Sequence, residues 1–131
     1  MKLESSFDLD GDLIVVAATV VGARGRADVQ LVLDTGAALT TVTPAIATAI
    51  GYSSDDRVRW SVTRTAAAAE RGYIVRLAQL VTLGVAMADV AVNVADLGYG
   101  VDGVLGMSFL VDFNFEVRPA ERRIAIEKIA R

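Results

Sequence analysis

The stretch Val29-Gln30-Leu31-Val32-Leu33-Asp34-Thr35-Gly36-Ala37-Ala38 is a strongly apolar run that stops at a carboxylate, a hydroxyl and a glycine. Such a run, ended by an Asp-led turn, reads as a strand that delivers Asp34 to a tight loop. Gly36 permits the backbone to turn sharply, and Thr35 offers a hydroxyl able to bond to a partner strand. The tripeptide alone is weak, because average residue usage places it by chance in about one chain in a few dozen of this size. Its plain reading is a strand followed by an ordinary turn, so the surrounding sequence has to decide.

Upstream, Ser6 to Asp8 leads into Gly11-Asp12 and the apolar run Leu13 to Val21. Gly22 and Gly25, with Arg24 between them, predict a hairpin turn into the strand Ala27 to Leu33. Downstream, Thr40 to Thr43 reads as a short extended piece, and Pro44 opens a helix through Ile50 that Gly51 stops. Apolar and polar residues alternate from Val58 to Thr65, as in a half-buried strand. A small, flexible tip at Ala66 to Gly72 separates it from a second strand, Tyr73 to Leu80. Extended pieces follow at Val81 to Leu83 and Val85 to Val94, then a turn entering a short helix over Gly103 to Asp112, and a closing strand at Arg123 to Ile129. With only Pro44 and Pro119 as prolines and no repeat or low-complexity linker, one mostly β domain spanning residues 1–131 is expected, with one or two short helices.

Composition narrows the chemistry. Hydrophobic residues make up 53% of the 131 residues, ample for a core, so disorder is not expected. Net charge is −3, and no face is dense in Lys and Arg, which argues against nucleic acid. Arg122 and Arg123, the tightest basic pair, fit a solvated strand edge. The absence of Cys and His removes Ser-His and Cys-His nucleophilic catalysis and the usual structural zinc ligands. Acid–base chemistry then rests on Asp, Glu, Lys or Tyr, and neither metal nor cofactor is expected. No apolar run reaches membrane-span length and no leader is evident, so a cytoplasmic protein is expected, a leader or anchor removed from a longer parent being the alternative.

The second informative stretch is Val101-Asp102-Gly103-Val104-Leu105-Gly106-Met107-Ser108-Phe109-Leu110. Alone it is a buried strand end entering a helix. Together with Asp34-Thr35-Gly36-Ala37 and the mid-chain hairpin, the order resembles retropepsin-like aspartic proteases over about Leu13 to Ile126. The likeness is greatest to bacterial single-domain members, whose second signature reads Gly-Leu-Leu-Gly-Met-x-Phe-Leu, against Gly103 to Leu110 here.

That resemblance implies an all-β, closed-barrel acid-protease fold and a specific site. Asp34 is the expected catalytic carboxylate. Thr35, Gly36 and Ala37 support its loop, and Gly103, Val104, Leu105 and Gly106 form the second signature. The chain carries one Asp-Thr-Gly, so the resemblance implies a homodimer in which each protomer supplies one Asp34, with Thr35 bonding across the two-fold axis. Two carboxylates so close cannot both ionise comfortably and share a proton; one activates a water and the other protonates the scissile carbonyl. Ala37 stands where pepsin-like relatives have a hydroxyl residue, which implies a pH optimum nearer neutrality. The hairpin from Val58 to Leu80 matches the position of the flap, with Ala66, Ala67, Ala68 and Ala69 at its tip, although that tip lacks a Gly-Gly or an apical aromatic. The expected substrate is an extended peptide or protein with apolar side chains, gripped in pockets built by Val29, Leu31, Val104 and Leu105.

Two further features have plainer readings. Asp8-Leu9-Asp10-Gly11-Asp12 suggests a calcium loop but lacks Gly at the sixth position and Glu at the twelfth, so a turn between strands is preferred. Trp60 and Tyr73 could stack on a ligand, but cross-strand packing in the hairpin is the better expectation. Two other readings of the whole chain stay open: a catalytically silent dimerisation or peptide-binding module on the same fold, and a plain structural β domain.

Overall fold

Dense β-branched runs dominate the architecture. In the computed structural model of the chain, which describes residues 2–64, 69–98 and 100–129, strands β1 (Lys2–Ser6), β2 (Asp8–Asp10), β3 (Leu13–Val21) and β4 (Arg26–Leu33) lead to β5 (Thr41–Val42) and helix α1 (Pro44–Ala49). They are followed by β6 (Arg59–Arg64), β7 (Ala69–Thr82), β8 (Val85–Val94), β9 (Gly103–Leu105), helix α2 (Met107–Leu110), β10 (Phe113–Arg118) and β11 (Arg123–Lys128). The larger sheet runs in the order β2-β3-β4-β9-β5-β8-β7-β6, and an additional β3–β7 pairing brings it back on itself. A three-stranded sheet, β1-β11-β10, joins the two ends of the chain. No helix among the described residues is long and apolar enough to cross a membrane.

Alternation selects the core. Val16, Ala18 and Val20 of β3, Val29 and Leu31 of β4, Val75 and Leu77 of β7, and Val90, Val92 and Val94 of β8 all point inward. Phe109 and Leu110 of α2 are fully buried against them, with the Phe109 and Phe113 rings 5.2 Å apart. Ile124 and Ile126 of β11 belong to the same apolar cluster, so the small sheet shares this core. Each fully buried Leu, Ile or Phe is worth about 1.5–3 kcal/mol relative to exposure.

Local signals act where the sequence placed them. Gly22 N–H donates to the Gly25 carbonyl at 2.8 Å in the β3–β4 turn. Thr43 caps α1, Pro44 occupies its first turn, and Gly51 ends the helix at φ +97°. The Gly11-Asp12 pair turns β2 into β3, giving the turn preferred over a calcium loop. β7 and β8 meet at Leu83-Gly84, both at positive φ, with Leu83 buried. Burial of its side chain offsets the about 1–2 kcal/mol that a left-handed conformation costs an L-residue.

Several expectations are corrected. The hairpin tip does not extend to Gly72. Ala69, Glu70, Arg71 and Gly72 are strand residues paired with Arg64, Thr63, Val62 and Ser61, because cross-strand contacts extend the ladder. Of the four expected tip alanines, Ala69 lies in β7, and Ala66, Ala67 and Ala68 fall outside the described residues. β7 does not break near Leu80, since it runs to Thr82 while pairing with β8 on one side and β3 on the other. Gly103–Leu105 is a buried strand, which bears out the strand-end reading of this stretch and corrects the turn, and the helix after it is confined to Met107–Leu110. β1 and β10 were not expected, being short polar-alternating strands that only β11 holds in place.

Candidate active site

Asp34 is placed by three strands. β9 lies parallel to β4 (Leu31 beside Gly103, Val32 beside Val104, Leu33 beside Leu105) and antiparallel to β5 (Thr41 beside Val104, Val42 beside Gly103). The Asp34 N–H continues the first ladder by donating to the Leu105 carbonyl at 3.0 Å. The carboxylate Oδ1 accepts from the Gly36 N–H at 2.9 Å, and the Ala37 N–H donates to the Asp34 carbonyl at 3.2 Å, closing a tight turn. The loop then closes on α2. Ala37 and Ala38 carbonyls accept from Met107 and Ser108 N–H at 2.8 and 2.9 Å, and the Gly106 N–H donates to Thr40 Oγ1 at 3.1 Å. Thr40 N–H in turn donates to Ser108 Oγ at 2.9 Å.

The two signatures are thus one structure. The glycines of the second are required by close backbone approach, since a Cβ on Gly103 would lie 2.2 Å from the Thr41 carbonyl oxygen. On Gly106 it would lie 2.7 Å from Ala37 O and 2.8 Å from Leu39 O. Asp102, which precedes them, is occupied structurally: its carboxylate accepts from the Gln30 N–H at 2.9 Å. Thr35 and Gly36 are exposed, and among the described residues the Thr35 hydroxyl has no hydrogen-bond partner within the chain.

A cleft of about 410 Å³ opens over Asp34, bounded by the loop (Gly36, Ala37, Ala38, Leu39) and by Val104. Its other side is formed by Val62, Thr63 and Arg64 of β6, with Thr41, Asn93, Asp96 and Leu97 completing the wall. Of the four residues expected to build apolar pockets, Val104 alone lines the cleft. Val29, Leu31 and Leu105 are buried in the core, because strand alternation turns them away from Val32 and Val104. Leu39, Val62 and Leu97 supply apolar wall in their place. Leu39 lies just beyond the Asp-Thr-Gly-Ala-Ala segment, and Val62 stands in the alternating strand. Asp96, Leu97 and Asn93 carried no sequence signal.

Asn93 is the one buried amide in the core of the described residues, at 1% exposure. Its backbone N–H donates to the Thr40 carbonyl at 2.9 Å, and its side-chain NH₂ donates to Thr41 Oγ1 at 3.3 Å and Thr63 Oγ1 at 3.0 Å. Its Oδ1 accepts from the Ser61 hydroxyl. With both amide hydrogens spent, Asn93 meets the cleft as a tied wall. Along the hairpin Trp60 packs edge-on to Tyr73 at 6.4 Å, as cross-strand pairing predicted, and Arg57 and Arg71 lie 4.3 and 4.1 Å from its ring centre.

Residues 16–109 match the family model described as aspartyl protease. Among solved structures, the chain is similar to a retropepsin-like aspartic protease from Rickettsia conorii, with TM-score 0.68 and 20% identity, covering 96% of this chain and 90% of that one. It is also similar to the EIAV protease in complex with the inhibitor HBY-793, with TM-score 0.56 and 18% identity over 82% of this chain and 93% of that one. At these identities the likeness is one of fold. No curated protein matches the sequence significantly.

Proposed function

Because the chain belongs to the aspartyl protease family, we propose that it is an aspartic endopeptidase whose active site forms from the Asp34 carboxylates of two copies. The observation that carries this reading is the position of Asp34: a half-buried carboxylate, oriented by the Gly36 N–H, at the base of a cleft large enough for an extended peptide segment. The exposed loop, with a Thr35 hydroxyl that has no partner among the described residues, supports pairing with the same loop of a second copy. The whole chain, residues 1–131, acts as one such half, and the cytoplasm is the proposed compartment.

In the chemistry that follows, the ionised Asp34 takes a proton from a water as the water oxygen bonds to the scissile carbonyl carbon. The protonated Asp34 of the second copy gives its proton to the carbonyl oxygen. Collapse of the tetrahedral adduct re-forms the carbonyl and breaks the C–N bond, with a proton passing to the departing amine. Thr35, Gly36 and Ala37 hold the loop, and Gly103 to Gly106 support it from beneath. The β6–β7 hairpin acts as a flap over extended peptides with apolar side chains, which meet Leu39, Val62, Leu97 and Val104. The second reading, a silent peptide-binding module gripping a strand by backbone hydrogen bonds, is favoured by nothing specific in the cleft.

The test compares wild type with Asp34→Asn on a peptide library at several pH values, at a concentration where the dimer is verified. Cleavage by wild type alone is expected. A verified dimer that cleaves nothing moves the assignment to the binding module, and equal cleavage by both proteins removes Asp34 from the mechanism.

A further inference from the structure

The β6–β7 hairpin reaches over the cleft from a narrow base. β7 pairs with β8 from Tyr73 to Thr82, so among the described residues Ala69 to Gly72 have no strand neighbour on that side. β6 is the edge strand, and its ladder runs to β7 alone. At the last rungs of the β7–β8 ladder stands Asn93, opposite Ile74. It holds Ser61 and Thr63 of the hairpin on one side and Thr40 and Thr41, which follow the Asp34 loop, on the other. Gly72, opposite Ser61, lets the hairpin close on β8 at this point: a Cβ there would lie 2.4 Å from the Val94 carbonyl oxygen.

From this geometry we infer that Asn93 is a positioning residue, which sets the hinge of the hairpin and holds it in register with the strand leaving the Asp34 loop. The inference rests on the reading of the cleft as a peptide-cleaving site. From Tyr73 on, β7 is clamped to the body by β8, while β6, Trp60 included, is tied to it through β7 and the Asn93 bonds to Ser61 and Thr63. A hairpin ordered in advance spares an incoming peptide the cost of ordering it, so the tie acts on binding. Once peptide and hairpin have closed, the geometry at Asp34 is the same with or without the tie, and the chemical step is unaffected.

Trp60, the chain's sole tryptophan, lies on β6 and reports on the hairpin without any need for turnover. The experiment measures acrylamide quenching of Trp60 in peptide-free protein, and kcat and KM on a cleaved peptide. The proteins are wild type, Ser61→Ala/Thr63→Val, Asn93→Leu and the conservative Thr63→Ser, all well below their melting temperatures. Loss of the hairpin's two bonds is expected to increase quenching and raise KM about ten-fold, the size of one to two net hydrogen bonds. kcat stays within about two-fold, as binding and not chemistry is altered, and Thr63→Ser, which keeps the hydroxyl that Asn93 meets, leaves quenching at the wild-type level. Unchanged quenching with unchanged KM overturns the inference even if the melting temperature falls, as does a loss confined to kcat. If Asn93→Leu does not fold, the double hairpin variant decides. If wild type cleaves no peptide, the proposed function fails, and the quenching result alone then decides whether Asn93 orders the hairpin.

Discussion

At the scale of single residues, Asp34 and the glycines beneath it make different demands. Asp34→Asn keeps the side chain's shape and its acceptor toward the Gly36 N–H, so the fold is expected to persist while peptide cleavage is lost. A melting temperature near wild type together with undiminished cleavage contradicts the assignment. Gly106→Ala is expected to cost about 1–3 kcal/mol, as overpacking against backbone does, because its Cβ meets two carbonyl oxygens below 3 Å that cannot step aside. Denaturant unfolding checks this, and a variant as stable as wild type shows that the loop can give way. Asp34 and Gly106 were legible in the sequence because a carboxylate at a strand end and a glycine before an apolar helix are local signals. Asn93 was not, since its importance comes from four residues distant in sequence that meet only in the folded chain.

At the scale of elements, the hairpin and the β7–β8 ladder show what holds the cleft together. Trp60→Ala removes an edge-on aromatic contact with Tyr73 and two arginine stacks, together worth about 1–3 kcal/mol. Amide exchange is expected to quicken along β6 while β3 and β4 remain protected; equal quickening throughout places Trp60 in the global fold instead. Within the same ladder, the hydrogen bond and charge of Arg76 hold the Asp89 carboxyl below its usual range. A lowered folded value means that the pair's stabilisation is present above the ordinary carboxyl range and is lost as pH falls through the lowered value. Arg76→Gln therefore lowers stability at neutral pH, by little since both groups are exposed, and the difference from wild type closes in acid. A difference constant with pH assigns it to packing of the arginine stem. Alternation foretold the hairpin's strands, but their extent was set by partners: β6 prolongs β7 back to Ala69, and β3 carries it forward to Thr82.

At the scale of the whole molecule, one chain carries one Asp34 and the proposed mechanism uses two. Specific activity is expected to rise with protein concentration until the dimer is saturated. Mixing wild type with an equal amount of Asp34→Asn is expected to leave about a quarter of dimers with both carboxylates under random pairing. Activity falling only by half after exchange of protomers means that each chain works alone. The terminal sheet bears on this assembly. β1 pairs with β11 inside the chain, so one protomer completes its own three-stranded sheet and the Asp34 loop is left among its exposed surfaces.

Sequence alone was enough for the strand that ends at Asp34, the tight turn after it, the helix opened by Pro44, the mostly β character and the restriction of acid–base chemistry to Asp, Glu, Lys or Tyr. Each follows from residues within a few positions of one another or from the absence of His and Cys. It took the folded chain to place the strand of the second signature between β4 and β5, to give Leu31 and Leu105 to the core and Val104 to the cleft, and to tie the hairpin to the loop through Asn93. Strand registry decides which alternate residue faces which side. Registry between strands some 70 positions apart, as when Gln30 N–H meets the Asp102 carboxylate, is fixed by packing of the whole chain and by no local pattern.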